Sequence, residues 1–119
     1  MRWRIEFHPQ FGGEFVELSE AVQDRLLVKI ELLSEFGPRL GRPHVDTLNG
    51  SQYSNMKELR FRADGGAWRV AFAFDPQRQA ILLVAGDKSG SSENRFYRSL
   101  IGKADERFTE HLAGLEEDR

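Results

Sequence analysis

The chain opens on an alternation. Trp3, Ile5 and Phe7 are apolar and the residues between them, Arg4 and Glu6, are charged, which is the two-residue period of a strand with one buried face. Pro9 ends that strand and suits the first turn of a helix, and Phe11, Phe15 and Leu18 follow at helical spacing. Ser19 is placed to cap a second helix. Within it Val22, Leu26, Ile30 and Leu33 form one apolar stripe, while Asp24, Arg25, Glu31 and Glu35 lie largely away from it. Gly37-Pro38 stops this helix. Residues 38 to 55 read as a loop pinned to the core by Leu40, Val45 and Leu48, with a turn at Asn49-Gly50.

From residue 57 the period returns to two. Leu59 and Phe61 alternate with Glu58, Arg60 and Arg62. After a turn-type stretch from Ala63 to Ala67, Trp68, Val70, Phe72 and Phe74 share one face, and Arg69, Ala71 and Ala73 the other. Asp75-Pro76-Gln77-Arg78 makes the next turn. The run from Ala80 to Ala85 is apolar on both faces, which places it well inside a sheet. A last helix, capped by Ser91 or Ser92, carries the stripe Tyr97, Leu100, Ile101, Ala104, Phe108 and Leu112, and the acidic tail after Leu115 is expected to fray. The predicted order is β-α-α-β-β-β-α. Three consecutive strands with short connections make a small antiparallel sheet, and helices packed on one of its faces make an α+β domain.

At 119 residues this is one domain, residues 1–119. Nine phenylalanines and two tryptophans supply its core. The absence of cysteine excludes disulfides, thiolate catalysis and zinc–sulfur sites, and in so small a domain it favours the cytoplasm. The N-terminal MRWRIEFHPQF has no apolar core of a signal peptide. No run approaches the roughly 18 apolar residues of a membrane span, so no membrane partner is expected. A net charge of −2 argues against a nucleic-acid binder until its distribution is read. Residues 57 to 103 carry nine Lys/Arg against five Asp/Glu, and the remainder eight against fourteen. The strand-rich half is therefore basic, which suits one surface meeting an anion.

In the predicted hairpin Arg60, Arg62 and Arg69 share the face opposite Leu59, Phe61, Trp68 and Val70. Ala71 and Ala73 leave room beside Arg69, whose side chain is expected to stand off the core. Lys88 joins the rim of this patch, and Lys57 adds charge nearby although its alternation sets it with Leu59. Guanidinium forks match phosphate oxygens and stay charged, so the patch can bind an RNA backbone or stabilise a pentavalent phosphorane. Arginines on an open sheet face are equally the pattern of a solvated surface paired with Glu58 and the acidic tail. Tyr97 lies on the apolar stripe of the last helix, where it reads either as a core tyrosine or as a ring or phenol acting in the site. Arg95 and Arg98, just off that stripe, are within reach of a phosphate. His8, His44 and His111 are scattered without metal spacing, and no GKS or GKT follows Gly65-Gly66. No cofactor or metal is implied.

The run from Lys57 to Phe72 resembles the central strands of RelE/HigB-type toxins, with their pattern KELR-x-R followed by G-x-x-R-x-x-F/Y. Leu83-Val84-Ala85-Gly86-Asp87-Lys88, then Phe96-Tyr97 and a helix, is similar to that family's final strand and C-terminal segment. The resemblance implies a RelE/ParE-like fold and the toxin of a type II toxin–antitoxin system. It implies a metal-independent endoribonuclease (an mRNA interferase, and so a hydrolase in the broad sense) acting on messenger RNA, most often on the ribosome, by attack of a ribose 2′-hydroxyl on the adjacent phosphate. Arg60, Arg62 and Arg69 match the basic strand residues that hold the phosphate, and Lys88 and Tyr97 match more loosely. It further implies a cognate antitoxin, often of helix-turn-helix type, through which alone the complex meets operator DNA. A ParE-like gyrase poison and a non-enzymatic phage-derived binding protein share the pattern's outline. The resemblance leaves the general acid and base unassigned, because arginine hardly deprotonates. Tyr97 with a pKa lowered by nearby cations, or Lys88, is the expectation for that role.

Overall fold

The computed structural model describes residues 2–117. In chain order the elements are β1 (Arg4–Phe7), α1 (Pro9–Phe15), α2 (Glu20–Phe36), a 3₁₀ turn (Gly37–Arg39), β2 (Val45–Thr47), β3 (Lys57–Ala63), β4 (Gly66–Phe74), β5 (Gln79–Asp87) and α3 (Glu93–Glu117). The α+β class and the element order follow the sequence pattern, with one addition. The expected loop from 38 to 55 contains β2, whose three residues are too few to show a period. Leu40, Val45 and Leu48 are buried there as expected. The expected frayed tail is helical to Glu117, and residues 118 and 119 lie outside the described residues.

The strands lie in the order β1-β5-β4-β3-β2. The meander β3-β4-β5 is antiparallel, but β1 pairs parallel to β5 at the edge of the sheet. The sheet is thus mixed, not purely antiparallel. A two-helix connection separates β1 from the meander, so β1 is not bound to pair with the strand that follows it.

The helices, expected on one face, take both. Phe11, Val22, Leu26 and Leu33 of α1 and α2 pack on Leu59, Phe61, Val70, Phe72 and Leu82. Leu100, Ala104 and Phe108 of α3 pack on Ala71, Ala73, Ile81, Leu83 and Val84 of the opposite face. The space left by Ala71 and Ala73 is therefore filled by α3. A β-bulge assists: the register steps from Ala71↔Val84 to Phe72↔Leu82, so that Leu83 and Val84 both reach the α3 side. Gly86 has no side chain to meet Phe96 of α3, whose ring occupies the place of its missing Cβ. α3 covers the β4-β5 part of this face and leaves the β3 end open. No helix among the described residues is long and apolar enough to cross a membrane.

Candidate active site

The open end of the α3 face carries the basic residues. In the β3-β4 pairing Arg60 stands opposite Arg69, and Glu58 opposite Ala71, so period two puts Glu58, Arg60 and Arg69 on one surface. α3 enters beside them. The Ser92 hydroxyl accepts from the Arg95 backbone amide at 3.2 Å, which caps the helix, and Tyr97 follows one turn in. Its hydroxyl donates to Glu58 Oε1 at 2.9 Å.

Arg69 was expected to stand off the core. Instead its side chain is only 8% exposed, roofed by the start of α3. Its Nη1 donates to the Trp68 carbonyl at 2.9 Å, and its Nε stands 3.8 Å from Glu58 Oε1. That is an ion pair but too long for a hydrogen bond. Among the described residues this Nε is the one buried side-chain nitrogen or oxygen without a hydrogen-bond partner. Glu58 and Arg69, both buried, thus form a trio with the half-buried Tyr97 in which one donor is unused, at a place where an unsatisfied group calls for an explanation.

Above the trio lies a cavity of 480 Å³ lined by Glu58, Arg60, Lys88 and Tyr97, with Arg42 and Asp46 at its far side. Lys88 Nζ is 3.2 Å from Glu93. A second cavity of 550 Å³ adjoins it, lined among others by Arg60, Arg62 and Arg69. Burial pushes the Glu58 carboxyl above its ordinary range, and the Tyr97 hydrogen bond and the charges of Arg69 and Arg60 offset this only in part. The Tyr97 phenol also moves up, first through burial and then through its bond to Glu58. This reverses the expectation that cations would lower it. Tyr97 remains a proton donor to the carboxylate and is unsuited to act as the base.

Of the residues singled out by sequence, Arg60, Lys88 and Tyr97 line the first cavity, Arg69 lies beneath it and Arg62 belongs to the second. The others are not brought in. Lys57 pairs with Phe72 and Thr47 on the register of Leu59 and lines neither cavity. Arg95 lines a separate 360 Å³ hollow with Phe96 and Leu100. Arg98 is exposed and also lines neither cavity. The histidines stay scattered: His8 caps α1 through Nδ1, His44 meets Lys29 and His111 meets Asp75 at 2.8 Å. Sequence reasoning missed Glu58 as a candidate for chemistry. The alternation already set it beside Arg60, but only the fold shows that it is buried and held by Tyr97.

The family described as "Phage derived protein Gp49-like" matches residues 13–109. Two relatives from Mycobacterium tuberculosis, named as toxins HigB2 and HigB3, are 47% and 46% identical over 103 and 105 residues, or 86% and 88% of this chain. The aligned part is 51% of HigB2 and 90% of HigB3, so the chain spans about half the length of the first and most of the second. Among solved structures, a doubly arginine-to-alanine-substituted E. coli toxin RelE in the free state has the same fold. Its TM-score is 0.61 at 17% identity, over 87% of this chain and 97% of that one.

Proposed function

The chain belongs to the Gp49-like, RelE/HigB-type toxin family, and on that premise we propose that it is a messenger-RNA endoribonuclease, held in check by a cognate antitoxin. The observation that carries the reading is the buried Glu58 carboxylate, held between Tyr97 and Arg69 at the base of a cavity rimmed by Arg60 and Lys88. A carboxyl pushed upward by burial is a better base near neutrality than an ordinary glutamate. In the proposed reaction Glu58 takes the proton of a ribose 2′-hydroxyl. The freed oxygen attacks the adjacent phosphorus, the bond from phosphorus to the 5′ oxygen breaks, and that oxygen takes a proton from Lys88. Arg60 neutralises the non-bridging oxygens from the cavity wall, and the buried Arg69 adds its positive charge from beneath. Tyr97 positions Glu58. The products are a 2′,3′-cyclic phosphate and a free 5′-hydroxyl. The positive charge comes from guanidinium groups, so the scheme calls for no metal.

In this proposal the ribosome places the scissile phosphate in the cavity, which makes translated messages the substrate in the cytoplasm. The antitoxin, of helix-turn-helix type in this proposal, carries the complex to operator DNA.

Induced expression in bacteria with primer extension tests this. Cuts are expected in a translated message and absent from the same message without its start codon, and Arg60→Ala is expected to reduce cutting about 10²–10³-fold. Cuts in both messages would remove the ribosome from the proposal. Growth arrest without cuts would overturn the nuclease and point to a gyrase poison.

A further inference from the structure

We infer that the bound RNA strand runs on past the catalytic cavity into the second groove, which wraps the free edge of β3 and takes the phosphates of neighbouring nucleotides. The inference rests on the ribonuclease reading and extends it to Arg25, Lys29, Arg42 and Arg62, which that reading does not use. β2 pairs with β3 only from Lys57 to Leu59. Beyond these pairs the Arg60 amide still bonds the His44 carbonyl, and on that edge, opposite β4, no strand pairs with Phe61 to Ala63. The 550 Å³ groove at this edge is lined by Arg25 and Lys29 of α2, by Arg42, and by Arg60, Arg62 and Arg69, with no carboxylate in its lining. Among the described residues Arg42, Arg60 and Arg69 have carboxylate partners and Arg25, Lys29 and Arg62 have none, so the groove keeps an excess of positive charge that a polyanion relieves.

The two cavities are continuous in their residues, since Arg42 and Arg60 line both. At this junction stands Asp46. Its Oδ2 is 2.7 Å from Arg42 Nη2 and 3.6 Å from Arg60 Nη1, so a carboxylate already bridges the two guanidiniums where a phosphate of a continuing strand would pass. On α2, Arg25 and Lys29 are four residues apart and lie on one flank, while Asp24, Glu31 and Glu35 mark the outward face at helical spacing. Burial, together with the charge of Arg25, holds the Lys29 ammonium below its ordinary range, and an anion seated between them would reverse that. Phosphate contacts of this kind position a strand without reading its sequence.

Fluorescence anisotropy with uncleavable 2′-O-methyl RNA tests the track, comparing a trinucleotide with a strand of about 12 nucleotides. The longer strand is expected to bind the wild-type chain more tightly. Arg25→Glu should weaken the longer strand about tenfold at low salt and leave the trinucleotide unchanged, and Arg25→Lys should restore it. Arg25→Ala should make the salt dependence shallower by about 0.7, as for one lost phosphate contact on a single strand. Asp46→Asn should tighten the longer strand by freeing Arg42 and Arg60, a gain that damage to the fold cannot mimic. Equal affinity for both lengths, equal weakening of both by Arg25→Glu, or competition by polyglutamate as strong as by RNA would overturn the track. Length-dependent binding by a chain that cuts no message in cells would remove the nuclease reading and leave the track standing.

Discussion

Glu58 has 6% of its side chain exposed and one hydrogen bond, from Tyr97. A carboxylate in that position carries a desolvation cost that Tyr97 and Arg69 offset only in part, and this gives Glu58 two opposed roles. Its pKa is raised in the folded chain. Well below the ordinary glutamate pKa of about 4.3, both folded and unfolded chains hold the proton and nothing is lost. As pH rises through the folded value, the folded state bears the buried charge and stability falls. Glu58→Gln keeps the shape and the acceptor for Tyr97 but cannot ionise. It is expected to melt at a higher temperature than the wild type at pH 8, with the gap closing toward about pH 4. If the proposed ribonuclease reaction holds, the same substitution should lower cleavage about 10²–10⁴-fold and abolish an acidic limb of the pH–rate profile that is expected above the ordinary glutamate range. A variant that cuts normally with an unchanged profile would remove Glu58 from the chemistry. Arg69→Ala is a poor test of the site, because it leaves Glu58 buried without its cation and so confounds catalysis with folding.

Single elements show where local pattern suffices. α2 is capped by the Ser19 hydroxyl, which accepts from the Val22 amide at 3.3 Å, and ends at Gly37 with φ 58 and ψ −139, a region nearly reserved for glycine. The Trp3 ring lies where a Gly37 side chain would begin, so this one position both ends the helix and lets the strand before α1 close over it. Gly37→Ala is expected to cost about 1–3 kcal/mol from backbone strain alone, with a further loss from displacing Trp3. Denaturant unfolding measures the sum, and a change within about 0.5 kcal/mol would mean that neither constraint holds. Ser19, Gly37-Pro38 and the three long strands were readable because each signal is local. β2 was not, because its three residues are defined by pairing with Leu59, Glu58 and Lys57 and by nothing in their own order. The bulge at Leu83 and Val84 was equally hidden, since a run apolar on both faces does not reveal a change of phase.

Across the whole molecule the two helical layers are tied together around β5. Arg107 of α3 is buried. It donates to both carboxylate oxygens of Glu14 in α1, at 2.8 and 2.6 Å, and to the Leu83 carbonyl at the bulge, at 2.8 Å. The Arg107 hydrogen bond holds the Glu14 carboxyl below its ordinary range, so its stabilisation is present above the unfolded pKa and is lost as pH falls through the folded value. Glu14 is partly exposed, which screens the pair. Glu14→Gln is therefore expected to cost about 1 kcal/mol or less at pH 7 and almost nothing once the pH has fallen below the folded value, as read from thermal melts at falling pH. A cost that does not change with pH would assign the contact to shape and not to charge.

The order of residues by itself determined the helices, the meander, the apolar stripes and the shared face of Arg60, Arg62 and Arg69. Each follows from a period of 3.6 or 2, or from a cap or turn within a few positions. It could not determine that α3 crosses to the far face of the sheet, because both faces of the run from Ala80 to Ala85 are apolar and accept a helix equally well. That one tertiary choice decided the rest. It covered Ala71 and Ala73, buried Arg69, seated Tyr97 on Glu58 and left the β3 end as the open cationic groove. Burial is a property of what comes to lie on a residue, and for Glu58 the covering helix arrives from 39 positions away.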